Sequence, residues 1–256
     1  STETATIVLH VECTDCHTAH EATSTVAAAP DAYGRILGTW GTSVTNNSAA
    51  SIDYTEKRGS DREYELCFKC HSGWADLDGR ENLAFSFNTE NPSVHAVQEA
   101  TTTLGITDDS FVGTWTGSSV LYCVDCHADS DAARVDGPHI SDEAPILVSP
   151  YRGTTPSDAD MLCYDCHERE VYYTGDIDGD SASTSLFYDG DLTEPKLHKL
   201  HVNDGGFSCS ACHVSHGSRT ERHLLDAGLG YTHATTGGEC AAACHTASAT
   251  HAYTRP

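Results

Sequence analysis

Leu66-Cys67-Phe68-Lys69-Cys70-His71-Ser72 is the stretch that decides how this chain is read. Two thiols stand three positions apart, and an imidazole follows the second at once. Working outward, the pattern returns as Cys13-Thr-Asp-Cys16-His17, Cys123-Val-Asp-Cys126-His127, Cys163-Tyr-Asp-Cys166-His167 and Cys209-Ser-Ala-Cys212-His213. A sixth copy is looser by one residue, Cys240-Ala-Ala-Ala-Cys244-His245. The chain has 12 cysteines, and the six pairs use all of them.

C-x-x-C-H is the attachment pattern of c-type haem. Two thiols add across the vinyl groups on one porphyrin edge, and the next residue presents an imidazole to the iron. His17, His71, His127, His167, His213 and His245 are therefore the expected proximal ligands. A disulfide framework does not explain a histidine after every second cysteine. Zinc sites combine two cysteine pairs per metal and need no adjoining histidine each time. For Cys240 and Cys244 the extra residue can bulge out of the loop; a disulfide or a free pair is the alternative there.

Composition agrees. Of 256 residues, 38% are apolar and 8% aromatic, a thin stock for a conventional core. Six haems supply the flat apolar surfaces that the amino acids lack, and so little protein around each requires them to lie close together. The net charge of −24 excludes binding to a phosphate backbone. No apolar stretch approaches the ~20 residues that cross a bilayer, so no membrane insertion is expected. The Ser1 start, without a charged and apolar leader, is read as following a removed signal peptide.

The second axial ligand separates a wire from an enzyme. The chain has 16 histidines, and those outside the motifs outnumber the six distal positions. The expected distal set is His20, His95, His139, His198, His201 and His216. His20 and His216 each lie three residues beyond a motif histidine, which turns them towards a neighbouring haem. His198 and His201 form a further pair at that spacing. His95 follows Asn91-Pro92-Ser93-Val94 and His139 follows Gly137-Pro138, both rigid turns. His10, His233 and His251 stand in reserve, and His223 is read as an ordinary exposed histidine. Met161 is the one methionine and is read as packing.

The expected fold class is mostly irregular chain with short α-helices and a few short β-strands, packed around haem as one unit over 1–256. Motif starts are unevenly spaced, so this is not a tandem repeat. Helices are expected over 64–72 and 161–170. Strands are expected over 7–11, 84–87, 120–122 and 171–173. Loops or small hairpins are expected over 24–62 and 97–119. Asp176, Asp178 and Asp180 alternate like the opening of a calcium loop, but Ser181 and Phe187 replace the expected glycine and glutamate. A solvated acidic turn is the favoured reading over a calcium or magnesium site. Asn46-Asn47-Ser48 is an N-glycosylation sequon.

Several stretches together resemble the outer-surface multihaem c-type cytochromes that polymerise into extracellular filaments. They are Cys13–His17 with Thr18-Ala19-His20, Leu66–Ser72 with Asn91–Val97, Tyr122–His127, Gly137-Pro138-His139, Leu162–His167, His198-Lys-Leu-His201-Val202, and Ser208–Ser218. The resemblance runs from about residue 7 to 220, and the order of the motifs is more specific than any one of them. It implies a loop-rich backbone, a continuous chain of parallel and T-shaped haem pairs, and a histidine near one subunit's N-terminus that ligates a haem of the next. His20 matches that position. The Cys240–His245 motif departs from the pattern.

The expectation is thus an extracellular or cell-surface electron conduit with six bis-histidine haems, not an enzyme, whose subunits join head to tail. Redox partners or extracellular electron acceptors are its other partners. Two alternatives share the motifs: a soluble monomeric shuttle, whose own chain must ligate all six irons, and a multihaem reductase, which needs one open iron.

Overall fold

The computed structural model describes residues 11–75, 77, 79–101, 106–131, 133–134, 137–151, 162–174, 187, 197–234, 237–240 and 251–254. The chain is mostly loop, with a few short helices and small antiparallel sheets.

Its longest helix is α2, Glu63–His71, which follows the one-turn helix α1, Cys13–Cys16. Glu63 and Glu65 occupy its first turn, and Lys69 and His71 its last. These charges oppose the helix dipole at both ends. Glu65 also accepts a 3.3 Å bond from the Arg62 backbone N–H, satisfying a donor just before the helix. The hairpin of β1, Gly41–Ser48, and β2, Ser51–Lys57, packs against α2 and falls inside the expected 24–62 hairpin region.

Beneath them lies the main cluster of buried apolar residues: Phe68, Ala84, Phe87 and Val97, edged by Val44, Ile52, Tyr54, Tyr64, Leu83, Val94 and Leu121. Phe68 is 1% exposed, and burying one such ring contributes about 1.5–3 kcal/mol. Phe68 sits between Cys67 and Cys70, so this small core grips the second Cys-pair motif directly.

Three strand expectations are corrected. Residues 84–87 fall in the short helix α3, Leu83–Ser86, and the turn after it. Ala84 and Phe87, three apart, both enter the Phe68 cluster, and the Asn91 amide donates to the Phe85 and Ser86 carbonyls at the helix end. Residues 171–173 lie in a π-helical turn, Glu170–Thr174, where Tyr172 is wedged edge-on between the rings of His167 (5.5 Å) and His198 (5.2 Å). Ring packing overrides the β propensity there. Residues 120–122 are extended without strand pairing; Leu121 N–H bonds only to the Ala96 carbonyl. The expected helix over 161–170 is a 3-10 turn, Leu162–Asp165, followed by the π-turn. Of the 7–11 strand, only Val11 is described, and it is in no element.

Two further sheets organise the second half. β3, Ser93–Val94, pairs with β4, Gly217–Ser218, and ties the 91–97 loop to the fifth motif. β5, Tyr231–Ala234, β6, Gly237–Cys240, and β7, His251–Thr254, form a three-stranded antiparallel sheet in which Cys240 lies in register with His251. Among the described residues no helix is long and apolar enough to cross a membrane.

Candidate haem-binding site

Each of the five described motifs lies in a helical turn, the second at the end of α2 and the others at the start of theirs. α1 and α2 carry the first two, and 3-10 turns at Cys123–Asp125, Leu162–Asp165 and Cys209–Ala211 carry the rest. In four of them the histidine N–H bonds back to the carbonyl of the first cysteine, at 2.8 Å for His17 and 2.9 Å for His127, His167 and His213. That bond closes a tight turn over the five residues of the motif. No disulfide joins Cys13, Cys16, Cys67, Cys70, Cys123, Cys126, Cys163, Cys166, Cys209 or Cys212.

The motif histidines face other histidines. His17 and His139 are stacked with centroids 6.0 Å apart and planes at 11°. His127 faces His216 at 6.2 Å, His167 faces His95 at 6.4 Å, and His213 faces His198 at 6.2 Å with planes at 18°. Metal–imidazole bonds of about 2.0–2.1 Å on either side of one metal, plus the two ring radii, put the centroids roughly 6 Å apart.

Hydrogen bonds fix which nitrogen each ring offers. Nδ1 of His17 meets the Arg35 carbonyl at 3.0 Å, Nδ1 of His95 the Ser215 carbonyl at 2.5 Å, and Nδ1 of His213 the His223 carbonyl at 2.8 Å. Nδ1 of His201 meets the Leu197 carbonyl at 2.7 Å. A carbonyl only accepts, so each Nδ1 carries the proton and each Nε2 keeps a bare lone pair for a metal. Burial strengthens this. It pushes the His95, His213 and His216 imidazoles below their usual range, and those of His167 and His198 down to about 3. A neutral imidazole is the form that ligates.

The motifs are also in line. Cys16 lies within electrostatic reach of Cys67 and Cys70. The sulfurs of Cys67 and Cys123 and a Glu63 oxygen all lie within 4.8 Å of one another. Cys126 is in reach of Cys166, and the Cys163 and Cys209 thiols hydrogen-bond, which holds the Cys163 thiol protonated and favours charge on Cys209. Motifs one to five therefore adjoin in sequence order. Glu63, Cys67 and Cys123 do not read as a separate metal site, because both Glu63 oxygens accept backbone N–H bonds, from Cys123 at 3.0 Å and Val124 at 3.1 Å.

Of the expected distal histidines, His95, His139, His198 and His216 each face a motif histidine. His201 packs beside Phe187 and Phe207 with its Nδ1 bonded. His20 is exposed and makes no ring contact among the described residues, and the same holds for His71. His223 is exposed, and its carbonyl orients His213, a role that motif reading does not reveal. His233 and His251 lie on β5 and β7. His10, Cys244, His245, Met161, Asp176, Asp178 and Asp180 lie outside the described residues. The Asn46 amide nitrogen is already committed to Thr89 (3.0 Å) and Gln98 (2.9 Å), which leaves the sequon poorly placed for a glycan.

Compared with known protein families, curated proteins and solved structures, the chain matches none.

Proposed function

We propose that this chain is an electron conduit: six c-type haems held by Cys13/Cys16, Cys67/Cys70, Cys123/Cys126, Cys163/Cys166, Cys209/Cys212 and Cys240/Cys244, each iron between two imidazoles. The observation that carries this reading is the set of four motif histidines facing a second imidazole at 6.0–6.4 Å. Haem held in this way supplies reversible one-electron chemistry at iron.

The residues do the rest. His139, His216, His95 and His198 would hold the iron together with the motif histidines of the first, third, fourth and fifth motifs and would leave a substrate no place on it. Backbone carbonyls lock ring orientation and keep Nε2 available. The sequence-order line of motifs one to five makes a continuous path. We place the protein outside the cell, where covalent attachment keeps the cofactors in place.

His71 has no facing imidazole among the described residues, and neither has His20. A ligand donated by a second copy completes the iron site at a joint, and His20 is the donor, giving a head-to-tail polymer. The same observation also favours a second reading, a reductase with an open iron at His71. Electron paramagnetic resonance of the oxidised, haem-loaded protein, with electron microscopy of the same preparation, decides between them. Filaments with only low-spin iron support the conduit. Monomers with a high-spin signal support the reductase, and a chain without covalent haem overturns both.

A further inference from the structure

Motif two is tied to its neighbours by two buried, oppositely charged side chains six residues apart on α2. Lys69 is 6% exposed. Its ammonium donates to the Asp15 backbone carbonyl at 2.5 Å, lies 3.9 Å from the Asp15 carboxylate, and sits 4.8 Å over the Trp40 ring. Asp15 lies between Cys13 and Cys16. Lys69 therefore clasps motif two to motif one, and it is near enough to Cys16 and Cys70 to act on their thiols.

Glu63 is 3% exposed and clasps the other side. Its two oxygens take the N–H groups of Cys123 and Val124, the opening residues of motif three. Tyr33, Tyr122, Asp125, Cys67 and Cys123 face it, and no basic side chain is among them. Burial raises the Glu63 carboxyl above its usual range, and the two backbone donors, one on each oxygen, pull the other way and favour the carboxylate. A charge with so little water around it acts strongly on its neighbours.

We propose that Lys69 and Glu63 are positioning residues of the relay. They fix motifs one, two and three in register, and they set the potentials of the haems attached there in opposite directions. This rests on the haem reading above. A buried cation disfavours the oxidised, more positive iron and raises the potential of the haems at motifs one and two. A buried carboxylate favours oxidised iron and lowers the potential at motifs two and three. Electrons are thus biased towards the motif-one end of this segment.

The test uses the full haem-loaded chain and the variants Lys69→Met, Lys69→Arg and Glu63→Gln. Each is titrated reductively with dithionite in a spectroelectrochemical cell, with Soret circular dichroism and denatured mass recorded in parallel. The expected result is an unchanged haem count, with part of the Lys69→Met titration moved to lower potential and part of the Glu63→Gln titration moved to higher potential. Both variants should show a weaker Soret exciton couplet, and Lys69→Arg should stay near wild type. Shifts of the same sign, unmoved curves, or a Lys69→Arg shift as large as that of Lys69→Met would overturn the proposal. If Lys69→Met loads fewer haems, Glu63→Gln and Lys69→Arg carry the same decision. A wild-type chain without haem overturns the parent reading; a loaded wild type with unmoved variants overturns this proposal alone.

Discussion

His17 and His139 lie with ring centroids 6.0 Å apart and planes only 11° from parallel, although His139 belongs to a loop beyond the third motif. The chain folds back on its own beginning to make this contact. A similar crossing places His95, from the loop after motif two, against His167 of motif four. Three of the four facing histidines, His95, His139 and His216, thus come from across the fold, while His198 faces the motif that follows it.

His139→Ala tests the crossing. His139 is exposed, so its loss should leave the fold intact. One iron in six should become high-spin or take a water ligand, with the other five unchanged. Electron paramagnetic resonance and the Soret absorbance measure this. Six unaltered low-spin irons would remove His139 from the ligand set.

Haem stoichiometry is the second expectation. Denatured mass should show six covalent haems. Cys240→Ser with Cys244→Ser should lower the count by one and leave the first five sites occupied, because these have separate turns and partners. A wild-type mass with five haems would make Cys240 and Cys244 something other than an attachment site.

How far the site was legible in the sequence follows from spacing. The cysteine pairs and their histidines are local patterns, and the turn at each motif follows from them. The partners of His95 and His216 are not local: the β3–β4 pair places them, and two-residue strands leave no periodic trace. The Ala84–Phe87 stretch alternates like a strand, yet its residues three apart meet Phe68, and that tertiary contact decided the helix. The lysine and glutamate clasps of α2 were hidden for the same reason. Charged residues in an acidic chain read as solvated until their neighbours are known.

Gly217 tests the strand pair. A Cβ there would run into the Ser86 carbonyl oxygen and lie 3.3 Å from the Ser93 carbonyl oxygen. Gly217→Ala should destabilise the fold by roughly 1–3 kcal/mol, as overpacking does. It should also disturb His216 and His95, whose backbones meet at 2.9 Å beside the pair. Denaturant midpoints read the first effect, and low-spin content reads the second. Wild-type values in both would show that the strand pair does not hold these ligands.

Glu65 gives a pH dependence of known sign. It is 2% exposed, and burial raises its carboxyl from 4.5, against the pull of Lys57 at 3.7 Å. A folded pKa above the unfolded one means the folded state binds the extra proton. The cost of ionising Glu65 is absent below about pH 4.5 and grows as pH rises through the folded pKa. Glu65→Gln should therefore be more stable than wild type at pH 8 and lose that advantage towards pH 4.5. Denaturant midpoints at the two pH values check this; an advantage that grows on acidification would show that the carboxylate stabilises.

The assembly joint is the last expectation. His20 is exposed one turn beyond His17, whose own ring is already met by His139. It is thus surplus to motif one and free to reach another copy. An iron–imidazole bond across a head-to-tail contact does not close on itself and propagates a filament. The net charge of −24 makes subunits repel, so added salt should ease assembly by screening. In His20→Ala the haem count should stay at six, while filaments shorten or vanish and one iron in six loses its second imidazole. Electron microscopy and electron paramagnetic resonance are read together. Normal filaments with every iron low-spin would show that His20 is not the joint, and His10 would become the donor to test by the same substitution.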